Sequence, residues 1–103
     1  MIDPTLAISK FEQLAWLAAT AESEIDRAAL YGGTMALFMA LREENAELKL
    51  GLERSLESLR WSICAMLGYD RADGHEKDSQ LIWALGQIAV MRRELGLGSN
   101  GAA

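Results

Sequence analysis

At 103 residues, half of them hydrophobic and about a quarter charged, the chain has the size of one domain and is too apolar for disorder. Proline occurs once, at Pro4, strand-forming runs are missing, and Ala, Leu, Glu, Met and Arg dominate, so the expected class is all-α. A net charge of −5 repels a phosphate backbone unless the basic groups share one face; the ten Lys and Arg are instead scattered from Lys10 to Arg93.

Asp3-Pro4 reads as a helix start, an acidic cap followed by proline at the first helical position. Ala7, Phe11, Leu14, Ala18, Ala21, Ile25 and Ala28 then recur at spacings of three and four, which predicts one helix over about 3–31. Half of that face is alanine, so a neighbouring helix is expected close against it. Its outer side is acidic, with Glu12, Glu22, Glu24 and Asp26 against Lys10 and Arg27. Gly32-Gly33 interrupts the pattern. Two glycines inside a helix cost about 2 kcal/mol against alanine, which favours a tight turn, with Thr34 capping the next helix; a kinked continuous helix is the rival.

The next stretch, Thr34 to Leu67, predicts a long central helix. Leu37, Phe38, Leu41, Asn45, Leu48, Leu52, Leu56, Leu59, Ile63 and Met66 fall on one face. Between Leu41 and Leu52 the spacing is that of coiled-coil positions, with Asn45 inside the stripe, where a polar residue can fix register. The step from Leu52 to Leu56 breaks heptad order, and so short a repeat also fits a helix packed in a bundle with Asn45 solvated. Gly68 ends the helix.

Residues 69–78 form a polar connection with a turn at Asp73-Gly74. As a calcium loop it fails, because Tyr69 and Arg71 stand where carboxylates are needed. Asp78 or Ser79 caps a third helix over about 79–95, whose inward face is read as Leu81, Ile82, Leu85, Ile88, Ala89 and Leu95. Arg92 and Arg93 favour the negative end of its dipole, Gly96 and Gly98 stop it, and 97–103 is a fraying tail. The expected architecture is therefore a three-helix chain in a single domain, 1–96, with the central helix in a helical hairpin.

Chemistry-bearing residues are few. Cys64 is the sole cysteine; Arg60, one turn earlier, would lower its pKa slightly, but a packed thiol is the simpler reading. His75 stands alone in an acidic loop. No carboxylate–histidine pair, glycine-rich phosphate loop or serine elbow occurs, so neither an enzyme nor a cofactor or metal is expected. The start, Met1-Ile2-Asp3-Pro4, lacks an export signal. The uncharged run Ala28–Leu41 is too short to span a bilayer, so the expected compartment is the cytoplasm.

Trp16, Trp61 and Trp83 come one per predicted helix, each off its main apolar stripe. Trp61 shares its side with Met39 and Leu50, and Trp83 shares its side with Val90. Either each helix is buried on two sides, or these aromatics anchor an interface. The expected assembly is a homodimeric helical bundle joined through Leu41, Asn45, Leu48 and Leu52, with Met39, Leu50 and the three tryptophans as further contacts. The functional expectation is a small acidic protein-binding module: an adaptor, regulator or inhibitor of the kind bacteria and their phages encode. Glu22, Glu24, Asp26, Asp70 and Asp73 would form an acidic partner surface that imitates nucleic-acid charge. The alternative is a nucleic-acid-associated dimer with a basic stripe of Arg42, Lys49, Arg54 and Arg60.

Overall fold

The computed structural model describes residues 3–44, 50–69 and 76–96. Among them the regular structure is four helices: α1 Pro4–Thr20, α2 Glu24–Glu44, α3 Leu50–Met66 and α4 Lys77–Glu94. The class is all-α, but the three-helix expectation is overturned at two places.

The first is a break at 21–23. α1 starts as expected, with the Asp3 carboxylate accepting the Thr5 N–H at 2.9 Å and Pro4 opening the helix. It ends at Thr20 because Ala21 is extended, with ψ 131°. Ser23 then begins α2: its Oγ accepts the Asp26 N–H at 3.0 Å and its carbonyl accepts the Arg27 N–H at 3.0 Å. Glu24 and Asp26 sit in the first turn, where carboxylates complement the helix dipole. The break resets the helical phase. Ala21 is buried, yet Ile25, the next member of the presumed stripe, is 82% exposed.

Gly32-Gly33 is not a turn. Both glycines lie inside α2, and neither is among the positive-φ glycines. Thr34, the expected cap, is fully buried on the inner face of α2 with Phe38 and Leu41. Burial of such a face, about 1.5–3 kcal/mol for each large apolar side chain, offsets the helix penalty of the two glycines.

The second break divides the expected central helix. α2 ends at Glu44 and α3 begins at Leu50. The two run antiparallel, as four pairs show in sequence. Arg42 meets Glu53 at 3.3 Å, and the Arg60 guanidinium lies 5.7 Å from the centre of the Phe38 ring. Met35 Sδ and Cys64 Sγ are 4.0 Å apart, and the Tyr31 and Tyr69 rings stack at 4.3 Å. Residue numbers rise on one helix as they fall on the other.

α3 stops at Gly68, with φ +86°. The Gly68 N–H reaches the Ala65 carbonyl and the Tyr69 N–H reaches the Cys64 carbonyl, a Schellman closure that needs glycine in the left-handed region. α4 begins after extended Glu76 with no side-chain cap, so Asp78 and Ser79 lie in its first turn and do not cap it. Gly96, at φ +71°, closes its far end.

α1 contacts all three other helices, α3 contacts α2 and α4, and α2 and α4 do not touch. α2 and α4 therefore occupy opposite corners of the bundle. The core draws on Ile8, Phe11, Ala15 and Ala18 of α1, Phe38 and Leu41 of α2, Leu52, Leu56, Leu59 and Ile63 of α3, and Ala84, Ile88 and Met91 of α4. The alanines of α1 permit close helix approach, as read from the sequence. The inward face of α4 follows the expected one in part: Ile88 is buried and Leu81, Leu85 and Leu95 pack partly buried against the core, joined by Gln80, Ala84 and Met91, while Ile82 and Ala89 are exposed. Nearly every residue from Leu81 to Met91 is apolar, so periodicity alone defined no phase. No helix among the described residues is long and apolar enough to cross a membrane.

Candidate binding cleft between Trp61 and Trp83

α3 and α4 pack antiparallel enough of their lengths together to bring Trp61 and Trp83, distant in sequence, to the walls of one cavity. It has a volume of about 340 Å³, is half-open, and is completed by Ser79 and Gln80. Trp61 is half-buried and Trp83 half-exposed. The Trp83 Nε1–H donates to Ser58 Oγ at 2.7 Å, which fixes the plane of the indole. Aromatic faces held in place lose little freedom on binding and make strong anchors for a ligand group.

Gln80 gives the cleft a polar element. The residue is 4% exposed, and its Oε1 is buried without a hydrogen-bond partner. An unsatisfied buried carbonyl costs about 1–3 kcal/mol, and this oxygen is shut off from solvent, so a donor in the cleft reaches it only by a turn of the amide. Indole and amide side chains bring no acid–base or nucleophilic group to the cleft. Among the described residues no group of three His, Cys, Asp or Glu side chains is placed to hold a metal. Cys64 is buried between α2 and α3, beside Met35 Sδ and Arg60 Nη1, each 4.0 Å from its sulfur. His75 lies outside the described residues.

The expected site residues divide into separate groups. Trp16 is half-exposed on α1, outside the Trp61–Trp83 cleft. Met39 is half-exposed on α2, whereas Trp61 belongs to α3, so the single off-stripe face expected of one long helix does not exist. Leu41 and Leu52 are 3% and 5% exposed in the core and offer nothing for a second chain to touch. Asn45 and Leu48 lie outside the described residues, as does the side chain of Leu50.

Glu22, Glu24 and Asp26 are exposed around the α1–α2 corner. Glu22 and Asp26 rim a hollow of about 420 Å³ floored by Leu17, Ala29 and Leu30. Asp70 and Asp73 lie outside the described residues. In the basic stripe, Arg42 pairs with Glu53, and Arg60 donates to Glu57 Oε1 at 2.7 and 3.0 Å. Arg54 is exposed and Lys49 is outside the described residues. The charges offered to a phosphate backbone are thus interleaved with carboxylates.

Sequence reasoning missed Ser58 and Gln80. Serine in a helix gives no signal of an indole partner, and Gln80 reads as a solvated residue in a first turn. No family model matches the chain, and the curated proteins and the solved structures yield no significant match to it.

Proposed function

We propose that this chain is a non-enzymatic protein-binding module, an adaptor, regulator or inhibitor, whose partner inserts an apolar side chain between Trp61 and Trp83. The observation that carries this reading is the cleft itself. Two indoles line it, one of them fixed by Ser58, and Gln80, whose amide oxygen is buried without a partner, contributes to its wall. Such an arrangement suits a partner group that combines a flat or branched apolar body with a donor, as tryptophan, tyrosine or a backbone amide does. The exposed acids Glu22, Glu24 and Asp26 add long-range attraction for a basic partner, and their share of binding falls with salt.

Paired affinity capture from cytoplasmic extract tests the reading, with wild type and the Trp83→Ala variant as baits. A protein retained by wild type and lost from the variant supports it. Identical captured sets, with both baits folded by circular dichroism, rule the cleft out as the docking site.

A further inference from the structure

α2 is the helix that the bundle holds least firmly. Its large buried apolar side chains are Phe38 and Leu41, with Leu30, Tyr31 and Leu37 half-buried beside them. α3, a shorter helix, buries Leu52, Leu56, Leu59, Ile63 and Met66. The centre of the inner face of α2 is spent on Thr34, whose hydroxyl is buried and unpartnered. Gly32-Gly33, just before it, lowers the helix propensity of the same turn. The Arg42–Glu53 pair that ties α2 to α3 is exposed on both sides and so adds little. α4 runs in close approach to α1 and α3, whereas α2 comes close to the same two helices over much less of its length.

The other three helices form a closed body without it. α1, α3 and α4 touch one another pairwise, and Phe11, Leu56, Leu59, Ile63 and Ile88 give them fully buried side chains. Most helical stability in proteins comes from packing, so a helix interrupted by two glycines has little of its own once it leaves its neighbours. Elements with few buried apolar contacts open at a fraction of the global unfolding free energy.

We infer that α2 is a strap that unfolds as one unit from a persisting α1–α3–α4 body and uncovers the flank of α3 carrying Cys64. Cys64 is buried, with its Sγ 4.0 Å from Met35 Sδ of α2, so its thiol reports the opening. The tryptophan cleft is lined by side chains of α3 and α4 and stays formed in the open state. The inference therefore does not rest on what the cleft binds.

Thiol labelling of the full chain with an aromatic disulfide reagent, across urea concentrations below the global transition, is the test. The labelling rate should rise with urea at roughly a third of the slope of global unfolding followed by circular dichroism, because one helix of the bundle is exposed and not all of them. Gly33→Ala, whose added Cβ meets only an ordinary contact with Leu14, should slow labelling roughly twofold to fivefold by favouring the helix. Ile88→Val, in the helix that α2 does not touch, should lower global stability and leave the labelling rate unchanged, since open and closed forms share that core. Labelling with the full slope of global unfolding, or a rate that rises severalfold in Ile88→Val, overturns the inference. So does a rate that is indifferent to urea or not slowed by Gly33→Ala.

Discussion

Met35 Sδ and Cys64 Sγ lie 4.0 Å apart across 29 positions of sequence. One straight helix through both would hold them about 43 Å apart, more than the 35 Å longest dimension of the molecule. The contact therefore states the hairpin in a single distance. A Met35→Cys variant should cross-link to Cys64 within one chain on mild oxidation or with a short thiol-bridging reagent. Closing a loop of this length adds about 3.6 kcal/mol by the chain-entropy estimate. Mass spectrometry of the tryptic digest identifies the bridge, and purely intermolecular cross-links would contradict the hairpin.

Ser23 takes the capping role that the sequence assigns to Thr34. Ser23 holds the Asp26 N–H at the start of α2, while Thr34 is buried mid-helix with its Oγ1 unpartnered. Ser23→Ala should lower stability by about 1 kcal/mol. Thr34→Val, which keeps the shape and removes the orphan hydroxyl, should leave stability unchanged or raise it by up to about 1 kcal/mol. Urea denaturation of the two variants measures both. A large loss in Thr34→Val would restore the capping role and with it the Gly32-Gly33 turn.

Several features are legible in the residues because they are local. Asp3-Pro4 opens a helix, and Gly68 and Gly96 close two others in the left-handed region, where only glycine sits at ease. The 21–23 break was also written locally, in Ser23 followed three residues later by Asp26. It is hidden by coincidence: Ala21, Ile25 and Ala28 happen to continue the preceding spacing, and alanine carries too little hydrophobic signal to reveal a lost phase. The pairing of Trp61 with Trp83 is a different matter. It depends on how α4 turns against α3, and a helix apolar on nearly all sides records no such angle in its sequence. Of the leucine seam, Leu41, Leu52, Leu56, Leu59 and Ile63 lie in the core, covered by residues of the same chain.

Gly33 offers a test of the helix through the glycine pair. A Cβ there would sit 3.9 Å from Leu14 Cδ2, an ordinary van der Waals distance. Gly33→Ala should therefore gain about 0.5–1 kcal/mol, because alanine loses less backbone freedom on entering a helix. In a left-handed turn the same change would be destabilising. The sign of the shift in thermal midpoint separates the two conformations.

Gln80 separates stability from binding. Its amide oxygen is buried and unpaired while the residue lines the tryptophan cleft, so the folded chain carries a desolvation cost, which a partner's donor relieves if the amide turns into the cleft on binding. Gln80→Leu has nearly the same volume and removes that cost. The variant should gain about 1 kcal/mol, or roughly 5 °C in thermal midpoint for a domain of this size. It should at the same time lose affinity for the partner by about tenfold or more, since the donor that Gln80 accepted is left unpaired in the complex. A purely structural glutamine moves the two quantities together, or moves stability alone. Opposite signs, with the midpoint rising while capture of the Trp83-dependent partner falls, are expected only if the amide is held ready for a ligand.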